Sequence, residues 1–247
     1  MTQNTKPPPA RRIGAWSVHA FTALGGAIGL LTLVAIYNHK FILAFYLMGA
    51  AIFVDAVDGL FARWAKTKVN APEIDGALMD MILDYLNYVV TPAFLLIVAG
   101  LLPGYWSIVA ASAMALASAF QFANIEAKTD DHFFTGFPSY WNVVVFYIFL
   151  WQLPTIINLF FIFLFVILVF VPIKYVYLSR VDYLARSRWL QGAMVLAAVL
   201  WGVGALWMLW IYPATNWFWV IYSIGFFVAY ILISIYRTFV PLKIEET

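Results

Sequence analysis

The chain has 247 residues, of which 65% are hydrophobic and 11% charged, and its formal net charge is +2. A soluble domain is roughly half apolar and a quarter charged, so this composition indicates a polytopic membrane protein without a sizeable soluble domain. The lack of cysteine excludes disulfides, thiol nucleophiles and cysteine-bound metals, and no charge pattern indicates nucleic-acid binding.

Apolar runs of about 20 residues, the length needed to cross a bilayer, recur along the chain. They predict an all-α fold with eight transmembrane helices, at 18–37, 41–63, 76–100, 104–124, 139–152, 154–178, 189–211 and 217–237. The fifth run is short and Pro154 follows it, so the interpretation of 139–178 as two helices or as one bent element stays open. The resulting organisation is an N-terminal segment 1–17, a single transmembrane domain 18–237 and a tail 238–247.

The basic residues predict the orientation, because cytoplasmic loops of membrane proteins are enriched in lysine and arginine. With eight spans and a cytoplasmic N-terminus, all but one of the 14 basic residues lie at cytoplasmic ends, and Lys40 is the exception. Both termini are then cytoplasmic. A chain with seven spans would put Arg180, Arg186 or Arg237 on the wrong side, which favours eight.

Four aspartates lie in otherwise apolar parts of the second and third predicted helices. Asp55 and Asp58 are three residues apart, and Asp80 and Asp84 are four apart, so each pair shares one helix face. At 1.5 Å per residue, the two antiparallel helices bring all four to one depth near the cytoplasmic face. A charge in hydrocarbon costs about 3 kcal/mol, so the cluster needs a counter-charge. Divalent Mg²⁺ or Mn²⁺ suits carboxylate oxygens.

Small residues and one arginine flank the aspartates. Gly59 and Gly76 allow a ligand or a helix to approach closely, and Ala62 keeps the same face slim. Arg63 is placed to hold a phosphate at the mouth of the site. Two other interpretations stay open: a polar cluster that only holds helices together, and an ion-coupled transporter. A transporter needs a pathway to both sides, and acids clustered at one face argue against it.

Other polar and small residues in these helices carry weaker predictions. Gly25 and Gly29 form a small-xxx-small pair that predicts close helix packing. Asn87 either orients a metal ligand or joins two helices. His19 is predicted to lie at the membrane interface, and Pro92 is predicted to kink the third helix.

These positions together read Asp-x-x-Asp-Gly-x-x-Ala-Arg, a spacer, then Gly-x-x-x-Asp-x-x-x-Asp. The pattern resembles the signature of the CDP-alcohol phosphotransferases, integral membrane enzymes of phospholipid synthesis, and every named position is met. The resemblance implies that the four aspartates hold two metal ions and that Asp84 is also the catalytic base. It implies a nucleotide and CDP-diacylglycerol pocket shaped by Gly59, Ala62, Arg63 and Gly76.

Two features resemble the bacterial members of that family that use choline. The spacer 64–75 is longer than in the commonest family pattern, and the stretch 131–142 reads Asp-His-Phe-Phe-Thr-Gly-Phe-Pro-Ser-Tyr-Trp-Asn. The resemblance implies transfer of the phosphatidyl group of CDP-diacylglycerol to choline with release of CMP. It also implies two Mn²⁺ (or Mg²⁺) ions and a homodimer in the bacterial cell inner membrane. Serine, glycerol 3-phosphate and inositol remain alternative acceptors, although phosphorylated acceptors require a basic pocket.

Choline carries a quaternary ammonium, which proteins hold with aromatic faces and sometimes a carboxylate. We predict a choline site from aromatic and acidic residues on the cytoplasmic side: Tyr140, Trp141, Tyr85 and Glu126. Tyr140 and Trp141 lead because they lie beside a Gly-Phe-Pro turn at a helix entry. Packing is the competing interpretation, since 19% of the chain is aromatic.

Overall fold

The computed structural model describes residues 7–127, 129, 133–176 and 187–240. Predictions that concern 1–6, 128, 130–132, 177–186 and 241–247 lie outside the described residues. They include Asp131 and His132 of the choline-type stretch, the basic residues Arg180 and Arg186, and most of the tail. The chain divides into two compact units, Met1–Ala99 and Gly100–Thr247.

The first unit is helical throughout its regular segments. Its elements are α1 (Pro9–Tyr37), α2 (Phe41–Ala65), the short α3 (Thr67–Asn70), α4 (Gly76–Asp84), a π-helical segment (Tyr85–Val90) and α5 (Thr91–Val98). The last three continue as one apolar element, Gly76–Val98. Asp75 starts it, because its carboxylate accepts hydrogen bonds from the backbone N–H groups of Ala77 and Leu78, at 3.1 and 3.0 Å.

The π-helical segment lies directly ahead of Pro92. Pro92 has no N–H for the carbonyl of Tyr88 and its ring crowds that carbonyl, so the preceding turn is wider than an α-helical turn. The Thr91 hydroxyl bonds the Asn87 carbonyl at 2.9 Å within this region. The predicted irregularity at Pro92 therefore takes the form of a widened turn beside Asp84.

α1 packs against α2, α4 and the π-helical segment. A Cβ atom on Gly29 would lie 2.6 Å from Leu86 Cδ2 and 2.9 Å from Asn87 Oδ1, so only glycine permits this approach. A Cβ atom on Gly25 would lie 3.5 Å from Leu83. The close packing predicted from the glycine pair is confirmed.

The second unit combines helices with a small two-stranded sheet. Its described elements are α6 (Trp106–Ala123), β1 (Phe133–Thr135), α7 (Trp141–Trp151), α8 (Thr155–Val169), β2 (Lys174–Val176), α9 (Arg188–Ile211) and α10 (Trp217–Phe239). β1 and β2 are antiparallel, with Phe133 opposite Val176. α6 packs on α8, and α10 packs on α9 and β2. Burial raises the pKa of Tyr175 in β2 to about 12, so its phenol stays neutral at physiological pH.

Polar side chains join the helices of the second unit. Trp141 Nε1 donates to Ser118 Oγ at 2.7 Å, which ties α7 to α6. The Tyr147 hydroxyl donates to Ser223 Oγ and accepts from Trp201 Nε1, both at 2.9 Å. These bonds satisfy polar groups that hydrocarbon would leave unpaired, which is the usual role of such residues between membrane helices.

Among the described residues, six helices are long and apolar enough to span a membrane: Pro9–Tyr37, Phe41–Ala65, Gly76–Val98, Trp106–Ala123, Arg188–Ile211 and Trp217–Phe239. The all-α, polytopic membrane fold is thus confirmed, with the small sheet as an addition. The first of these helices also begins earlier than the predicted residue 18.

The predicted fifth and sixth spans, 139–152 and 154–178, need correction. The structure has two separate helices there, because Gln152 adopts a left-handed conformation (φ 45°) and Pro154 precedes α8. With 11 and 15 residues, they extend about 16 and 22 Å, less than the roughly 30 Å of hydrocarbon. The predicted end at 178 is wrong: α8 stops at Val169, ahead of Pro172, and β2 follows.

Candidate metal centre

Three of the four predicted aspartates meet in the first unit. Carboxylate oxygens of Asp55 on α2 and of Asp80 and Asp84 on α4 all lie within 4.8 Å of one another, and each residue is partly buried. Divalent cations bind carboxylate oxygens at about 2.0–2.6 Å, so small side-chain rotations would close this group around one ion. The arrangement is a candidate metal centre at the junction of α2 and α4.

Asp58 is not part of this group of three. It lies almost one turn further along α2 and is 7% exposed. Thr22 on α1 and Asp55 on α2 are its neighbours, and the Thr22 hydroxyl itself donates to the Val18 carbonyl at 3.3 Å. The structure therefore places Asp58 beside the centre.

Tyr88 supports the centre from the π-helical segment. Its hydroxyl donates a hydrogen bond to Asp55 Oδ2 at 2.8 Å. This bond joins the apolar element Gly76–Val98 to α2. Tyr88 carries no role at the metal site in the family signature or in the aspartate spacing. The available signal was its position four residues after Asp84, which places the two side chains on one helix face.

Asn87 joins two helices. Its amide donates to the Gly25 carbonyl of α1 at 3.1 Å and to the Leu83 carbonyl at 3.0 Å. Of the two roles left open from the sequence, the structure shows the contact between helices.

The two glycines that flank the aspartates have different neighbours. A Cβ atom on Gly59 would lie 3.5 Å from Arg63 Nη1, so the exposed guanidinium runs alongside Gly59. Ala62, between them in sequence, is partly buried. A Cβ atom on Gly76 would lie 3.0 Å from Cε1 of His19. His19 is only 6% exposed, so it packs inside the first unit. The sequence predicted a position at the membrane interface but not this burial.

The four predicted choline contacts belong to different units. Tyr85 directly follows Asp84 and is partly buried in the first unit. In the second unit Glu126 is exposed and Tyr140 is partly buried. Trp141 has no exposed surface, its N–H is bonded to α6, and its ring meets that of Phe137 edge-on at 5.3 Å.

The fold and the centre define a multi-pass helical membrane protein with a partly buried group of carboxylates able to hold a divalent metal. No family model matches the chain. Curated phosphatidylcholine synthases do match it. The protein from Legionella pneumophila is 45% identical over 240 residues, 96% of this chain and 94% of that protein.

The Legionella bozemanae phosphatidylcholine synthase is 44% identical over 87% of this chain and 99% of its own length. That of Rhizobium meliloti is 40% identical over 72% of this chain and 74% of its own length. The chain therefore belongs to the phosphatidylcholine synthase family. This membership is consistent with the resemblance to the CDP-alcohol phosphotransferases.

Proposed function

We propose that this protein is a CDP-diacylglycerol–choline O-phosphatidyltransferase, which moves the phosphatidyl group to choline and releases CMP. The observation that carries the proposal is the 45% identity to a phosphatidylcholine synthase over 96% of the chain. The carboxylate group on α2 and α4 supports it, because transfer between phosphate esters is commonly assisted by divalent ions.

The metal site in this proposal is formed by Asp55, Asp58, Asp80 and Asp84 and holds two ions, Mn²⁺ or Mg²⁺. Three of these carboxylates already lie within 4.8 Å of one another, and the fourth is a neighbour on α2. Their chemistry fits, since hard divalent cations prefer carboxylate oxygens and keep positions open for phosphate. When bound, the ions would neutralise the diphosphate of CDP-diacylglycerol.

The protein's own residues have separate roles. Asp84 accepts the proton of the choline hydroxyl, whose oxygen attacks the phosphorus nearest the diacylglycerol. The bond from that phosphorus to the bridging oxygen breaks, and CMP leaves with the electron pair. A carboxylate is a weak base near neutral pH, so correct positioning of the hydroxyl supplies much of the rate.

In this proposal the nucleotide binds at the surface that carries Gly59 and Gly76. Arg63 lies alongside Gly59 and is placed to hold a phosphate oxygen of the substrate. Ala62 and Gly76 complete the proposed pocket. On α2, Gly59 and Ala62 leave room for the diphosphate to reach the aspartates, while the His19 ring fills the space beside Gly76.

The choline site comprises Tyr85, Tyr140, Trp141 and Glu126 in this proposal. Tyr85 has the strongest support, because it directly follows Asp84 and an aromatic face holds a quaternary ammonium well. Trp141 has the weakest, since its ring is wholly buried and its N–H is already bonded. A packing role explains those contacts of Trp141 equally well.

The membrane arrangement in this proposal has eight crossing segments. The apolar helices α7 and α8 are shorter than the hydrocarbon, so flanking residues or a locally thinner bilayer must complete those two crossings. Both termini are cytoplasmic, as the distribution of basic residues favours. The catalytic domain is 18–237, and 1–17 and 238–247 flank it. A homodimer in the bacterial inner membrane follows from the family resemblance.

The test uses membranes that contain the protein, supplied with labelled choline, CDP-diacylglycerol and Mn²⁺. Labelled phosphatidylcholine should form, and membranes with Asp84→Asn at equal protein level should give only background. The variant keeps the size of the side chain and removes its basicity. A substantial residual rate would rule out Asp84 as the base, and no product from the wild type would reject the choline assignment.

A further inference from the structure

His19 on α1 carries a buried nitrogen that nothing in the described chain satisfies. The residue is 6% exposed, and its Nε2 has no hydrogen-bond partner among the described residues. A buried polar group without a partner costs about 1–3 kcal/mol, and native structures satisfy nearly all of them. The nitrogen is therefore expected to meet a partner that lies outside the described residues.

The position of His19 relates it to the metal centre. Its ring fills the space where Gly76 lacks a side chain, with Cε1 3.0 Å and Nδ1 3.4 Å from the position of a Cβ atom there. Gly76 lies four residues before Asp80, so the two share one face of α4, about 5–6 Å apart.

A second residue on the same face of α1, Thr22, lies next to α2. Thr22 lies three residues after His19, on the same face of α1, and its side chain lies near the Asp58 carboxylate, while its hydroxyl donates to the Val18 carbonyl at 3.3 Å. His19 thus lies about one helical turn from the aspartates, towards the beginning of α4 and away from the apolar interior of the helices.

We infer that His19 Nε2 forms a hydrogen bond with the cytidine moiety of CDP-diacylglycerol. The inference rests on the proposed function, in which the aspartates and their cations hold the diphosphate. The two acyl chains extend from one end of that diphosphate into hydrocarbon, and the nucleoside extends from the other. About one turn from the aspartates, the groups available to the imidazole are the ribose hydroxyls and the polar edge of the base.

This inference gives Gly76 a different role from the one implied by the family signature. Its missing side chain admits the His19 ring, which then carries the polar contact to the nucleoside. Choline is a poor partner for Nε2, because its ammonium group has no N–H and no acceptor and its hydroxyl is held at Asp84 in the proposed mechanism. An ordered water at Nε2 is the alternative that the experiment excludes or establishes.

The test measures CMP binding to the purified full-length protein in detergent with Mn²⁺, together with KM for CDP-diacylglycerol and for choline. His19→Phe keeps a ring against Gly76 and removes the hydrogen bond, so we expect CMP binding to weaken about tenfold. His19→Gln restores an amide N–H at similar reach and should bind CMP within about threefold of wild type. The KM for CDP-diacylglycerol should rise in His19→Phe while that for choline stays unchanged.

The control variant is His39→Asn, which removes an exposed histidine in the turn that follows α1. Its φ is 56°, a conformation that asparagine tolerates. It should bind CMP as the wild type does. Wild-type CMP affinity in His19→Phe, or equal loss in the Phe and Gln variants, would overturn the inference and leave His19 a packing or water-binding residue.

CMP binding needs no acceptor alcohol, so the experiment separates the two proposals. If the protein uses an alcohol other than choline, CMP should still bind and His19→Phe should still weaken it. If the wild type fails to bind CMP with Mn²⁺ present, the proposed function falls and this inference falls with it.

Discussion

The hydrogen bond from Tyr88 to Asp55 offers the sharpest test of how the metal centre is built. Tyr88→Phe keeps the aromatic ring and removes only the hydroxyl that lies 2.8 Å from Asp55 Oδ2. A hydrogen bond to a charged group contributes about 1.5–3 kcal/mol, which equals roughly 10- to 150-fold in an equilibrium constant. Loss of a residue that orients a metal ligand commonly costs about 10- to 100-fold in metal affinity.

The assay is the rate of phosphatidylcholine formation as a function of Mn²⁺ concentration. We expect Tyr88→Phe to raise the half-saturating Mn²⁺ concentration about 10- to 100-fold, with most of the maximal rate recovered at saturation. The matched control is Tyr37→Phe, which removes a hydroxyl from a 74% exposed tyrosine at the end of α1. That variant should follow the wild-type curve.

Two results would refute this reasoning. An unchanged Mn²⁺ curve in Tyr88→Phe would show that the hydrogen bond does not position Asp55 for metal. A rate lowered equally at every Mn²⁺ concentration would assign Tyr88 to another step. Measuring the thermal midpoint of each variant separates both results from simple loss of folded protein.

Three further predictions concern packing and stability. Gly29→Ala should lower the free energy of unfolding by about 1–3 kcal/mol, because its Cβ would meet a leucine side chain at 2.6 Å. The control Gly49→Ala, whose Cβ would have nothing within 4 Å, should be neutral or stabilising. Equal thermal midpoints for the two variants would contradict the packing argument. Trp141→Phe should cost about 1 kcal/mol through the lost hydrogen bond to α6 and leave KM for choline unchanged, whereas a raised KM would support direct choline contact. The Arg12–Glu73 ion pair, 2.7 Å long with side chains 44% and 48% exposed, should contribute less than about 1 kcal/mol; a large fall in the thermal midpoint of Arg12→Ala at low salt would contradict this.

The aspartate cluster was predictable because its evidence is local. Spacings of three and four residues fix the helix face, and the rise per residue fixes how far each aspartate lies from the end of its helix. Asp55, Asp80 and Asp84 meet as those two rules require. The same rules do not set side-chain rotation, and Asp58 lies beside the group rather than within it.

Other features depend on contacts that no local pattern encodes. β2, Lys174–Val176, has only three residues, and periodicity cannot separate a strand from a helix at that length. Its partner, Phe133–Thr135, is about forty residues away in sequence. The burial of His19 follows from a glycine on another helix, 57 positions further along the chain. No pattern in the sequence indicated how many residues the widened turn before Pro92 would include.

The most direct test of the central assignment is an acceptor screen that measures CMP release from CDP-diacylglycerol in Mn²⁺. Choline, serine, glycerol 3-phosphate and inositol are supplied separately to the same membranes, with and without a chelator. We expect CMP release with choline and with none of the other three alcohols. This release should be lost when the chelator removes the metal. Release driven by serine or another alcohol instead of choline, or undiminished by the chelator, would contradict the assignment.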